Sequence, residues 1–112
     1  MKTKRSKACD ISQKTRQEVY QRDGRCIFCR MKYHMDETTP YGRSMCQVMH
    51  YIARSHGGLG IEQNLALGCI DHHQMMDNGK HGPEMRELMK EYLQEIYRRN
   101  WNEESLVYKK GQ

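Results

Sequence analysis

Two short pairs of potential metal ligands constrain the fold of this 112-residue chain more than any other feature. Cys26 and Cys29 form a C-x-x-C pair, and Cys69 and His72 form a C-x-x-H pair. Each pair can present both ligands from one tight turn, so the two pairs together predict a tetrahedral structural Zn²⁺ site. Such a site would hold together the two ends of residues 30–68. One alternative is a set of unconnected buried cysteines with a surface histidine. Another is a redox-active pair at Cys26 and Cys29, which the lack of a thioredoxin-like βαβ pattern disfavours.

The composition explains why a domain of this size needs a metal cross-link. Only 37% of the residues are hydrophobic and the mean hydropathy is -1.02, so apolar burial alone would stabilise the fold weakly. A structural zinc ion contributes on the order of 10–16 kcal/mol in small peptides. The five cysteines are an odd number and no apolar run could span a membrane. We therefore expect a reducing, intracellular setting without membrane association.

Residue patterning predicts a single α+β domain. Helices are expected at 12–24, at 70–77 before Asn78-Gly79 and from Pro83 to Arg99, with strands within 45–54 and near 65–67. We divide the chain into a basic, flexible segment (1–11), a core that the zinc ion cross-links (12–79) and a helical extension that packs on the core (80–112).

Positive charge is concentrated near the amino terminus of the chain. Residues 1–30 contain nine Lys and Arg against three Asp and Glu, whereas the whole chain has a net charge of +5. This distribution suits a polyanionic partner such as DNA, because phosphate contacts supply most non-specific nucleic-acid affinity. A solvated tail that only aids solubility is an equally good interpretation.

Three further polar residues lie between or beside the two ligand pairs. His50 begins "HYIARSHGG", Asn64 begins "NLALGCIDHH", and His73 is the second histidine of that stretch. With "RDGRCIFC" upstream, their order and spacing resemble the HNH endonucleases, which are ββα-metal nucleases with a zinc knuckle. The resemblance covers roughly residues 13–79. It implies a small, treble-clef-like nuclease of the bacterial or phage type, with an additional C-terminal helix, in the cytoplasm of a bacterium or a phage-infected host cell.

The resemblance also implies a role for each of these residues in metal-dependent cutting or nicking of DNA. His50 matches the general base that activates water, and Asn64 matches the residue that fixes the loop and orients this base. His73 matches a ligand of the catalytic divalent metal, which could be Mg²⁺, Mn²⁺, Ni²⁺ or Zn²⁺. A neutral imidazole with a pKa near 6.5 suits proton transfer at physiological pH.

One residue departs from the family pattern. Met49 precedes His50, where the family often has an Asp or His that binds the metal, and a thioether is unsuited to Mg²⁺. Asp77 lies one helical turn after His73 and is a candidate second ligand, or else only a helix-end residue. Arg54 and Arg43 are candidate phosphate contacts, and a solvated role is equally consistent with the sequence for each.

Two other functions remain open at this stage. Loss of the metal ligand at Met49 would suit a catalytically degenerate, zinc-containing module that binds nucleic acid without cutting it. The basic segment and the long C-terminal helix would also suit an accessory factor of phage packaging or assembly that docks on a protein partner. A homodimer is compatible with either.

Overall fold

A two-stranded antiparallel sheet organises the structure, a computed structural model that describes residues 3–110. Strand β1 (Cys46–His50) pairs with β2 (Leu65–Cys69), so that His50 lies opposite Leu65 and Cys46 opposite Cys69. The helix after β2 packs on both strands. The six α-helices of the described residues are α1 (Lys4–Cys9), α2 (Gln13–Asp23), α3 (Ile27–Arg30), α4 (Pro40–Ser44), α5 (Ile70–Asn78) and α6 (Gly82–Tyr97).

The prediction of an α+β domain is confirmed by this arrangement. Local signals fix the helix ends: Ser12 caps α2 by accepting a hydrogen bond from the amide of Thr15, and Gly24 ends it with a φ of 76° that favours glycine. Pro83 lies in the first turn of α6, where a missing amide hydrogen costs nothing. Between residues 3 and 110, no helix is long and apolar enough to cross a membrane.

The buried apolar side chains form two clusters on either side of β1. Strand periodicity sends neighbouring side chains in opposite directions, so Met49 packs in the larger cluster and Val48 in the smaller one. The larger cluster also receives the buried stripe of α6, formed by Met85, Met89 and Leu93. The smaller cluster consists of Val19, Val48, Leu65 and Leu67.

A short helix lies within the basic segment at 1–11. Helix α1 forms there, and its last residue, Cys9, is only 3% exposed. The carbonyl of Ala8 accepts a hydrogen bond from the amide of Gly60 at 3.0 Å, which attaches α1 to the loop between the strands. Residues 1, 2, 111 and 112 of the predicted terminal segments lie outside the described residues.

A buried carboxylate joins α2 to the sheet and to α6. Asp23 is 4% exposed, and its two oxygens accept hydrogen bonds from the amide of Leu67 at 2.9 Å and the hydroxyl of Tyr92 at 2.5 Å. The guanidinium of Arg22 pairs with the same carboxylate at 2.7 Å and donates to the carbonyl of Leu65 at 2.6 Å. The network satisfies polar groups that would otherwise be buried without partners.

We expect Asp23→Ala to lower the free energy of unfolding by about 3 kcal/mol, because it leaves the strand amide of Leu67 without its acceptor and removes the charge partner of the half-buried Arg22 guanidinium. Urea denaturation followed by circular dichroism measures the change. The matched control is Asp36→Ala, which removes an exposed carboxylate and should change stability little. Equal stability of the two variants would contradict the assignment of Asp23 as a structural residue.

Candidate metal centre and histidine cleft

The four predicted ligands converge on one point. Donor atoms of Cys26, Cys29, Cys69 and His72 all lie within 4.8 Å of one another. The sulfur atoms of Cys29 and Cys69 are 3.9 Å apart, and Nδ1 of His72 lies 3.2–3.6 Å from the three sulfurs. A four-coordinate ion with thiolate and imidazole ligands requires neighbouring donors roughly 3.3–3.8 Å apart. The cluster could therefore bind a metal ion with little rearrangement.

The two ligand pairs are built in the same way. Cys26 is the N-cap of α3 and Cys69 is the N-cap of α5, and each sulfur accepts an N–H bond at 3.4 Å from the third residue beyond it. That third residue is the second ligand, Cys29 or His72. The C-x-x spacing thus places one ligand at the cap and the next in the first turn, where the positive end of the helix dipole favours thiolate.

The surroundings of the cluster hold its ligands in a binding form. Nε2 of His72 donates to the carbonyl of Tyr33 at 2.6 Å, which leaves the lone pair of Nδ1 directed at the sulfurs. Burial lowers the pKa of His72, so its ring stays neutral as a ligand must be. Burial raises the pKa of the thiols of Cys26 and Cys29, and a bound cation would oppose this effect.

We expect Cys69→Ala to abolish metal binding at the cysteine cluster and cooperative thermal unfolding, because the ligand joining β2 to the pair Cys26–Cys29 is lost. Thiolate-to-cobalt charge-transfer absorption on addition of Co²⁺ and thermal melts by circular dichroism measure the two effects. Cys46→Ala is the matched control, since Cys46 lies on the neighbouring strand but outside the cluster. A Cys69→Ala protein with unchanged charge-transfer absorption would overturn the assignment.

A second feature of the structure is an open cleft of about 610 Å³ beside the sheet. His50 from the end of β1 and His73 from α5 both line it, together with the predicted second ligand, Asp77. Basic side chains surround these residues, so that the cleft is suited to an anionic ligand. The arginines that line it are Arg16, Arg54 and Arg86.

The ring of His50 is oriented by the amino-terminal helix. Its Nε2 lies 3.2 Å from the carbonyl oxygen of Cys9, and because a carbonyl only accepts, Nε2 carries the proton. Nδ1 of the neutral ring then retains a lone pair. Burial lowers the pKa of His50 below its usual value of 6.5. The hydrogen bond to the Cys9 carbonyl opposes this effect, whereas the nearby charges of Arg54 and His73 add to it. His50 is therefore neutral at physiological pH and able to accept a proton.

Asn64 holds the loop that follows His50 and makes no hydrogen bond to the histidine. Its side chain is fully buried; Oδ1 accepts from the amide of Ile52 at 2.8 Å, and Nδ2 donates to the carbonyls of Ile52 and Leu59 at 3.1 and 2.9 Å. Its own carbonyl accepts from the amide of Tyr51 at 2.7 Å. These bonds fix the backbone immediately after β1.

His73 has two oxygen neighbours. Its Nδ1 lies 2.6 Å from Oε1 of Gln47, and its Nε2 lies 3.1 Å from Oδ2 of Asp77, one turn later on α5. Nε2 and the carboxylate form a pair of donors that could hold a divalent cation. Asp77 is also 3.8 Å from the guanidinium of Arg86. Among the described residues, His50, His73 and Asp77 do not form one of the compact groups of three potential ligands.

The structure gives a physical reason for the methionine before His50. Met49 is fully buried in the larger core cluster and does not line the cleft. Gly68 provides its space, since a Cβ there would lie 2.2 Å from the sulfur of Met49. Gln47, two residues earlier and thus on the same face of β1, contacts His73 instead.

The two candidate phosphate contacts have different positions. Arg54 lines the cleft, where its guanidinium donates to the carbonyl of Cys9 at 2.7 Å and pairs with Asp10 at 2.6 Å. Arg43 is not part of the cleft wall, and it donates to the hydroxyl of Thr38 at 2.7 Å.

Sequence reasoning missed four residues that line the cleft or contact its histidines. Arg16 and Arg86 line it, whereas Cys9 contacts His50 and Gln47 contacts His73. The concentration of basic residues at 1–30 pointed to the region of Arg16. The other three have no signal in the sequence, because each contacts a residue at least 26 positions away. The contacts are Cys9 with His50, Gln47 with His73, and Arg86 with the carbonyl of Tyr51.

Comparisons of the chain with protein families, with curated proteins and with solved structures found no match in any of the three.

Proposed function

We propose that this protein is a metal-dependent endonuclease that hydrolyses phosphodiester bonds in DNA, as its resemblance to the HNH endonucleases implies. The observation that supports this best is that His50 and His73, the first at the end of β1 and the second on α5, line one arginine-rich cleft. An electrically neutral imidazole beside several guanidinium groups suits the hydrolysis of a phosphate ester better than the binding of an apolar ligand.

Each residue of the cleft has a task in this reaction. Nδ1 of His50 takes a proton from the attacking water, while the Cys9 carbonyl keeps Nε2 protonated and the ring fixed. His73 and Asp77 would hold the divalent cation. When bound, such a cation supplies positive charge for the phosphate oxygens in the transition state. Arg16 and Arg86 provide further positive charge along the cleft for the DNA backbone.

The metal at the Cys26–Cys29–Cys69–His72 cluster is, in our proposal, a structural Zn²⁺. Three sulfurs and one nitrogen are a typical ligand set of a structural zinc site, in which the protein supplies all four ligands. Zinc–sulfur bonds of about 2.3 Å also fit the separations between the donor atoms of the cluster. The ion would make the core a zinc-containing ββα-metal domain. It would also fix the start of α5, and therefore the direction of His73.

We expect His50→Ala to reduce the rate of plasmid nicking by about 10²–10⁴-fold, the usual contribution of a general base, and His73→Ala to reduce it comparably. Both residues lie outside the buried clusters, so thermal stability and zinc content should be retained. The assay follows conversion of supercoiled plasmid with Mg²⁺, Mn²⁺, Ni²⁺ or Zn²⁺ added in turn.

The control for these variants is His56→Ala, which removes an exposed histidine six residues after His50. It should nick at the wild-type rate. Undiminished nicking by His50→Ala would show that another group activates the water.

The pH dependence of nicking should report on His50. Because burial lowers its pKa, the neutral form persists below pH 6.5, and the rate should be constant above that value and fall only at more acidic pH. Initial rates at saturating metal, with zinc content measured at each pH, test this. A rate that continued to rise well above pH 6.5 would assign the proton acceptor to another group.

A second candidate function is binding of DNA without hydrolysis. The observation that favours it is that Asp77 faces the guanidinium of Arg86 as well as His73, while Met49 contributes no ligand to the cleft. This candidate predicts salt-sensitive DNA binding and intact plasmid with every divalent metal. Nicking by wild-type protein that disappears in His50→Ala would exclude it.

A further inference from the structure

A second group of potential metal ligands lies outside both the cysteine cluster and the cleft. His34, His81 and Glu84 each offer a donor atom, and these atoms lie within 4.8 Å of one another. His34 precedes the short 3-10 turn Met35–Glu37, and the other two residues lie at the start of α6. The group therefore joins two segments that are almost fifty residues apart in sequence.

A further carboxylate, that of Glu37, contacts both imidazole rings. Oε2 of Glu37 is 2.8 Å from Nδ1 of His34 and 3.3 Å from Nε2 of His81. The two rings are stacked, with their centroids 4.1 Å apart and their planes inclined by 22°. Two imidazole nitrogens thus face the same carboxylate oxygen. His34 and Glu37 come from the turn near Met35–Glu37, and His81 comes from the start of α6.

One donor of this group is buried without a hydrogen bond. Nε2 of His81 is inaccessible to solvent, and its contact with Glu37 lacks the geometry of a hydrogen bond, so no described residue satisfies it. Buried polar atoms without partners are uncommon because their desolvation is not compensated. In the tautomer with its proton on Nδ1, His81 offers the lone pair of Nε2 to a metal ion in this position.

The carboxylate of Glu84 is held in place by the segment that also supports the cysteine cluster. The hydroxyl of Tyr33 donates to Oε1 of Glu84 at 2.5 Å, and the carbonyl of the same tyrosine accepts from Nε2 of His72. The ring of Tyr33 packs edge-on against that of His81 at 6.0 Å. Tyr33 therefore links the ligand His72 to two members of the second group.

We propose that His34, His81 and Glu84 bind a second divalent metal ion, with Glu37 as a further ligand. Two imidazoles and carboxylates favour Zn²⁺, Ni²⁺ or Co²⁺ over Mg²⁺ and Ca²⁺, which prefer oxygen ligands alone. The ion would replace the contacts of Glu37 with both rings and would give Nε2 of His81 a partner. It would cross-link the turn after the zinc knuckle to the first turn of α6.

The experiment is metal binding by the full chain, titrated with Zn²⁺ and with Co²⁺. Protein carrying His73→Ala, which lacks the metal ligand proposed for the cleft, should bind two equivalents of Co²⁺. One should show thiolate-to-cobalt charge-transfer absorption, as expected for the cysteine cluster, and the other should lack it. Adding His81→Ala should remove the equivalent without charge-transfer absorption and leave the one that shows it. The melting temperature of this double variant should also no longer rise when Zn²⁺ is added beyond the first equivalent.

Two further variants make the result unambiguous. Glu84→Gln keeps the size of the side chain and a hydrogen-bond acceptor for Tyr33, so its fold should be unchanged while affinity for the second ion falls at least tenfold. His73→Ala removes the ligand proposed for the cleft and should leave the second equivalent in place. The proposed nuclease function can therefore fail without affecting this result.

Three outcomes would overturn the proposal. Wild-type protein could bind only the equivalent with charge-transfer absorption, which would make His34 and His81 ion-pair partners of Glu37 alone. The second equivalent could persist in both His81→Ala and Glu84→Gln. It could also disappear in His73→Ala, which would place the ion in the cleft.

Discussion

The approach of three sulfurs and one imidazole nitrogen is the constraint on which the rest of the structure depends. The cluster joins the N-termini of α3 and α5, and so brings the two ends of residues 30–68 together. His72 points into this cluster, and on a helix the next side chain is rotated by about 100°. His73 is thereby directed away from the metal centre and toward the cleft. The adjacent histidines therefore lie in different places: His72 is held in the cysteine cluster, and His73 lines the cleft.

The cleft is assembled from segments that are distant in sequence. The end of β1 provides His50, α5 provides His73 and Asp77, and α6 provides Arg86. The carbonyl of Cys9, at the end of α1, fixes the tautomer of His50. The amino-terminal helix therefore contributes orientation as well as charge. Burial and neighbouring cations keep the ring neutral, which is the form that the proposed proton transfer requires.

Much of the architecture could be predicted from local sequence. Ser12 and Gly24 marked the ends of α2, and Pro83 marked the beginning of α6, because caps and φ restrictions act within one or two turns. The metal cluster was equally predictable, since ligands three residues apart at a helix N-terminus need no information from elsewhere. The attachment of α1 was not predictable from local sequence, because it depends on a hydrogen bond from the distant amide of Gly60.

The sequence by itself determined the two ligand pairs, the α+β elements and the concentration of positive charge near the amino terminus. Only the tertiary structure decided what the other polar residues contact. It buried Met49 in the core, gave His73 the neighbours Gln47 and Asp77, and brought His34 beside His81. The pair of His73 and Asp77 lies within α5, but each of the other arrangements depends on how separate segments pack. No local pattern in the sequence encodes packing distances, which is the physical reason why only the tertiary structure decided these contacts.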